Sequence, residues 1–171
     1  KGSNSAMPSY DTRALEQSIH TLVNEERGNA NRELLSWSDD LAELSRAHST
    51  DMAERSFFSH GNPDGESPHD RAQRLDISCS SIVDDPPPRT GIGENIYNAS
   101  AYHTRQIQRR GDEETVTYDW KDEDELATEV VDGWMNSEGH RRNILNDSYQ
   151  AQGLGVEVSD ERRILITQTF C

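Results

Sequence analysis

Three short segments of this 171-residue chain carry side chains able to hold a cation or move a proton. Phe57-Phe58-Ser59-His60 ends on an imidazole, and Gly93-Glu94-Asn95-Ile96-Tyr97 offers a carboxylate beside an amide. Gly133-Trp134-Met135-Asn136-Ser137-Glu138-Gly139-His140-Arg141-Arg142-Asn143-Ile144-Leu145 ends an amphipathic helix and delivers a second histidine, His140, into an irregular turn. Two imidazoles and a carboxylate, if brought together, make a reasonable zinc shell with a fourth position left for water or ligand. Calcium prefers all-oxygen ligation, so this donor set suits it less. Each segment alone has a plainer reading. His60 can be a loop histidine bonded to backbone, and Glu94-Asn95 can tie a strand to its neighbours, because a carboxylate buried in a cleft needs such partners.

The elements that must position these groups follow from periodicity. Thr12 to about Arg27 carries Leu15, Ile19, Leu22 and Val23 at helical spacing. Ser38 caps a second helix, in which Leu41, Leu44, Ala47, His48 and Met52 repeat at three and four residues until Arg55-Ser56. His48 therefore reads as a half-buried core residue, and Trp37 as a staple of the helix to the core. Gly61-Asn62-Pro63-Asp64-Gly65 is a turn, Ser67-Pro68 opens a short helix ending near Leu75, and residues 78–89, with Pro86-Pro87-Pro88, read as loop.

Gly91 to Ser100 is a predicted strand, Asp124 caps a helix whose inward stripe is Leu126, Val130 and Trp134, and Gly153–Val158 and Arg163–Phe170 form a terminal hairpin. Residues 101–125 are polar and charge-rich and read as an acidic surface insertion, a solvated loop with a helical turn or short strand. Residues 1–11 read as a cloning remnant and disordered lead. Helices first, then antiparallel strands, predict an α+β layered domain. The remaining aromatics Trp37, Trp134, Phe57 and Phe58 fit a core.

The formal charge is −15, and Lys1 and Lys121 are the only lysines. Molar salt screens the repulsion within such a surface, so adaptation to a hypersaline habitat is the favoured expectation; an ordinary acidic secreted protein, or an arginine-rich codon bias, are the alternatives. Free nucleic acid and anionic membranes are repelled at low salt. The length supports one core without help from a metal, and no run of eighteen apolar residues is present to span a membrane. Cys79 and Cys171 fit no metal-binding spacing; one bridge and two free thiols both remain open.

In order and separation the three segments resemble the CAP superfamily (cysteine-rich secretory, antigen 5, pathogenesis-related) in its short prokaryotic form, from about Ser18 to Phe170. The resemblance implies a three-layer α-β-α sandwich around a small, mainly antiparallel sheet, as a single domain over 12–171. It also implies export to the outside or the cell surface, although no signal peptide is visible; a monomer is the separate expectation for the chain. It further implies a cleft lined by two histidines and acids, which holds zinc or calcium in some members. His60, Glu94 and His140 match its positions. Glu138 is the substitute for the fourth acid, with Glu129 behind it; Arg141 and Arg142 are structural; Tyr97 edges the cleft; His20, His69 and His103 are surface or loop residues. The implied function is a binding module for a lipid, sterol, peptide or cell-envelope component. The alternatives are a metal-dependent hydrolase, with His60, Glu94, Glu138 and His140 as catalytic candidates, and a structural surface protein. Ser137 lies near His140, but no nucleophile elbow surrounds it.

Overall fold

The computed structural model describes residues 6–79, 82–83 and 89–171; the first five residues and Pro86-Pro87-Pro88 of the expected loop lie outside the described residues. In chain order the elements are α1 (Thr12–Asn29), β1 (Ser36–Trp37), α2 (Asp39–Glu54), α3 (Pro68–Arg74), β2 (Ile82–Val83), β3 (Arg89–Thr90), β4 (Gly93–Ser100), β5 (Tyr102–Arg110), β6 (Glu113–Trp120), α4 (Glu123–Met135), α5 (Glu138–Ile144), β7 (Ala151–Val158) and β8 (Arg163–Phe170). The central sheet has the order β1-β7-β8-β4. Its β7–β8 and β4–β8 pairs are antiparallel, and the two-residue β1 adds to β7 in parallel. Helix α2 covers β7 and β8 on one face, while α1 and α4 cover the other, giving the three-layer sandwich.

The period-two alternation of the strands divides the core between the layers. Ile164, Ile166 and Phe170 of β8 join Leu154 and Val156 of β7 against Leu15, Ile19 and Val23 of α1 and Leu126, Val130 and Trp134 of α4. The opposite face of β8 supplies Leu165, packed with Met52 and Ile96, and two threonines. Those threonines explain how α2 comes so close: Ser45 bonds Thr169 at 2.7 Å and Ser49 bonds Thr167 at 2.8 Å. Glycine is obligatory beneath. A Cβ on Gly153 would lie 2.0 Å from the Ala42 nitrogen, and one on Gly155 2.2 Å from the Arg46 nitrogen.

Four local features differ from expectation. Residues 101–125 are not a loop: β5 and β6 form an antiparallel hairpin anchored by Tyr118 stacked on Trp120 (4.6 Å) and by Arg162 over Tyr118. Helix α4 starts earlier, because Asp122 rather than Asp124 makes a capping box with Glu125. Tyr10 of the expected disordered lead is docked, its hydroxyl donating to the Lys121 carbonyl at 2.9 Å. His20, expected at the surface, accepts from the Gln152 side chain and stands edge-on to Trp37.

Cys79 and Cys171 are joined in a disulfide, with Cα atoms 5.6 Å apart. Strand β4 forms one edge of the sheet, and three of its alternate carbonyls are each taken by a side chain. Asn143 donates to Glu94 O (3.3 Å), Trp134 to Ile96 O (3.1 Å) and Arg163 to Asn98 O (2.9 Å). Such capping removes the acceptors that another strand would need.

Candidate functional site

His60 owes its position to the end of α2. Ser56 turns left-handed (φ 53), and Phe57 N–H reaches back to the Met52 carbonyl at 3.2 Å, a Schellman closure that reverses the chain. Phe57 then packs against the His48 ring, while Phe58, expected in the core, is exposed. Two buried side chains pin the loop that follows. His48 Nε2–H donates to Ser59 O at 2.9 Å, and Arg71 Nη1 donates to His60 O at 2.6 Å. A carbonyl only accepts, so neutral His48 carries its proton on Nε2 and leaves Nδ1 as a bare lone pair. Burial holds the His48 imidazole below its ordinary range, partly opposed by the nearby Glu94 charge.

Glu94 points from β4 toward the α2 layer. Its Oε2 accepts from Arg71 Nη2 at 2.5 Å and its Oε1 from His60 Nδ1 at 2.9 Å, with His48 Nε2 a further 3.9 Å contact. The side chains of Arg71 and Glu94 are each only 4% exposed. This carboxylate fixes the His60 tautomer with Nδ1 protonated, leaving Nε2 as the acceptor on a half-exposed ring.

His140 arrives from the other layer. It sits on α5, a short helix where an irregular turn is expected, with Glu138 in the first turn and Arg141 and Arg142 in the last. Asn95 Nδ2 donates to His140 O at 3.2 Å, and Asn143 Nδ2 donates to Asn95 Oδ1 at 2.9 Å. Buried Arg27 caps the far end through Ile144 O at 2.7 Å. Burial, and then the neighbouring His60, push the His140 imidazole down. The two histidines thus stand on elements that flank β4, near enough for their charges to interact.

The remaining expected acids stand elsewhere. The Glu138 side chain is 82% exposed and pairs with Arg142 at 3.3 Å, a structural use of that arginine. Glu129 receives Lys121 Nζ at 2.5 Å and Tyr97 OH at 3.4 Å. Tyr97 packs over Gly133 and Trp134 rather than edging the cleft. Sequence reasoning misses Arg71 and His69. Arg71 gives no signal that separates it from Arg74 on the same short helix. His69 follows Pro68 directly and lines the same cleft as His60.

That cleft encloses about 520 Å³ between His60, His69, Glu94, Asn143 and Tyr149, over a floor running from Gly91 to Gly93. Gly93 cannot carry a side chain, since a Cβ there would lie 2.2 Å from the Tyr149 hydroxyl. A second cleft of about 400 Å³ shares His69, Gly91 and Ile92 and reaches Cys79. Behind the site, a cleft of about 380 Å³ is lined by His48, Arg71 and the arginine–carboxylate pairs of α2 and α3. Arg71 Nε and His48 Nδ1 are buried without a protein partner.

A zinc shell of His60, His140 and Glu94 is not what these residues assemble. Both oxygens of Glu94 are engaged, one by a guanidinium and one by His60 Nδ1. Among the described residues, no group of three or more His, Cys, Asp or Glu side chains is arranged to hold a metal ion. As arranged, the ligand-type nitrogens left are His60 Nε2 and those of His140.

A helix-covered sheet whose edge gathers two histidines and a glutamate from opposite layers defines a class of domain. The chain belongs to the CAP family: residues 20–170 match the Cysteine-rich secretory protein family. It is 31% identical over 142 residues to the uncharacterized protein YkwD of Bacillus subtilis (strain 168), an alignment covering 83% of this chain and 42% of that protein. A solved extracellular protein containing a SCP domain, from Bacillus anthracis str. Ames, is similar at 27% identity and a TM-score of 0.67, covering 96% of this chain and 44% of the other. An outer surface protein of Borrelia burgdorferi shares the fold at 16% identity and a TM-score of 0.67, covering 96% of this chain and 97% of that one. The chain thus spans less than half the length of YkwD. Among the described residues no helix is long and apolar enough to cross a membrane.

Proposed function

We propose that this domain is an extracellular binding module whose groove takes an extended, polar component of the cell envelope. The observation that carries this is the Arg71–Glu94–His60 chain. It holds one half-exposed imidazole in a fixed tautomer along a groove that one adjoining cleft lengthens. The charges there neutralise one another, so the groove offers fixed hydrogen-bonding groups on a glycine floor, which suits amide and hydroxyl chemistry better than a lipid or sterol. The extracellular and outer-surface relatives support the location, and the −15 charge supports use in strong salt.

A metal-free hydrolase is the second reading. A histidine whose Nδ1–H is held by a carboxylate has the orientation of a general base, with Nε2 available to a water. The test is a calorimetric titration with soluble muropeptides, disaccharide-peptide fragments of bacterial peptidoglycan, using wild type and His60→Ala, followed by analysis of the recovered fragments. Saturable binding that His60→Ala abolishes, with fragments recovered intact, supports the binding module; cleaved fragments support the hydrolase. Absence of saturable binding, together with phosphatidylglycerol vesicle binding unaffected by His60→Ala, overturns the proposal.

A further inference from the structure

The cleft behind the groove, between α2 and α3, encloses about 380 Å³, within the size range of small-molecule sites. His48 and Arg71 line it and are only 1% and 3% exposed. Most of their polar atoms are engaged: His48 Nε2 donates to Ser59 O, and the two terminal nitrogens of Arg71 hold His60 O, Glu66 O and Glu94. What remains is one acceptor, His48 Nδ1, and one donor, Arg71 Nε–H, both buried without a protein partner. Such groups cost free energy unless something bonds them. The two side chains are close enough for the guanidinium charge to act on the imidazole.

This pair selects among ligands. An anion is drawn to Arg71 but meets the Nδ1 lone pair and the carboxylates of Asp51, Asp64 and Glu66 on the walls. A cation suits the lone pair but meets the guanidinium. The wall charges also cancel among themselves, since Arg55 pairs with Asp51 at 2.7 Å and Asp64 at 2.9 Å, and Arg74 with Glu66 at 2.7 Å. A neutral hydroxyl or carboxamide fits, because it can accept from Arg71 Nε–H and donate to His48 Nδ1 at once. Leu44, Ala47 and Leu75 add an apolar wall.

We propose that this rear cleft is a second binding site, for a neutral hydroxyl- or amide-bearing molecule of monosaccharide size, anchored by His48 Nδ1 and Arg71 Nε. The site is separate from the groove at His60 and independent of which ligand the groove takes.

The experiment is an NMR titration of isotope-labelled protein with N-acetylglucosamine, following the His48 Nδ1 nitrogen at about pH 8, where an ordinary histidine is neutral. Wild type shows a saturable move of that signal to lower frequency as the nitrogen gains a hydrogen bond, half-complete at or below about 10 mM, the weak end for one small neutral ligand. Ala47→Trp and Leu75→Trp fill the cleft from exposed positions on its walls, and each is checked for cooperative urea unfolding. The shift is lost in at least one variant that unfolds cooperatively; if neither does, the wild-type response decides alone. Acetate and methylammonium, the charged alternatives, leave the signal in place. No saturable shift in that range, a shift retained in both folded variants, or a stronger response to either charged probe overturns the proposal. An Nδ1 signal that is already hydrogen-bonded in the free protein and unmoved by the probe marks a trapped water and likewise overturns it.

Discussion

The side-chain amide of Asn143 donates to Asn95 Oδ1 at 2.9 Å, and Asn95 donates in turn to the backbone carbonyl of His140 at 3.2 Å. Two amides on different elements thereby fix where the second histidine stands relative to the first. Asn95 is fully buried and also donates to Gln168 Oε1 at 3.1 Å, so its hydrogen-bonding capacity is largely consumed in docking α5 onto β4.

Asn143→Ala removes this tie. It leaves Asn95 Oδ1 and Glu94 O without their donor, and each lost buried bond costs about 1 kcal/mol or somewhat more. Urea unfolding measures the stability loss. Muropeptide titration is expected to weaken as well, since His140 is no longer held beside His60.

Stability falls as pH drops below about 6.5, the ordinary histidine value from which burial lowers His48. The sign follows from proton binding: in that window the unfolded chain takes up a proton that folded His48 refuses. His20 and His140 are lowered too and add the same sign, while buried Glu16, raised by desolvation, opposes them. Urea unfolding near pH 7 and near pH 5.5 gives the slope, to which each histidine contributes at most about 1.4 kcal/mol per pH unit. His48→Asn flattens the slope whatever it does to absolute stability, because the opposing Glu16 contribution is common to both proteins.

Gly155→Ala and Gly139→Ala separate packing from propensity. A methyl on Gly155 meets the α2 backbone at 2.2 Å, whereas at Gly139 nothing lies within 4 Å. The first variant therefore loses about 1–3 kcal/mol or more as α2 is pushed off the sheet. The second stays neutral or gains up to about 1 kcal/mol on α5. Thermal and urea unfolding of the pair checks both directions.

Much of this architecture is legible in the residues themselves. The apolar stripes of α1 and α2 are strong because one face of each is buried, while β7 and β8, covered on both faces, are legible from their short β-prone runs on either side of a polar turn. Helix α5 is hidden by Gly139 in its first turn and by the lack of a side-chain cap at Ser137. The β5–β6 hairpin is hidden by its charge density, although Thr115-Val116-Thr117-Tyr118 is β-prone and Arg109 pairs with Glu114. At the site, His60, Glu94 and His140 are named by their motifs. Arg71 is not, because an arginine on a short helix looks solvated until the strand edge sets a carboxylate against it.

The disulfide closes a separation of 92 residues and ties the last residue to the wall of the second cleft. Cys79→Ser/Cys171→Ser is expected to lose about 4–5 kcal/mol by the loop-entropy scale. Unfolding of the oxidised wild type, the reduced wild type and the double variant tests this, with the last two coinciding.

The most direct test of the groove's role follows the imidazole signals of the six histidines by NMR while muropeptides are added in molar salt. Saturable shifts of His60, His69 and His140, with His20 and His103 unmoved, are the predicted result. Saturable shifts confined to His20 and His103, or no shift at any imidazole at concentrations that saturate other cell-wall binders, would contradict a ligand groove at His60.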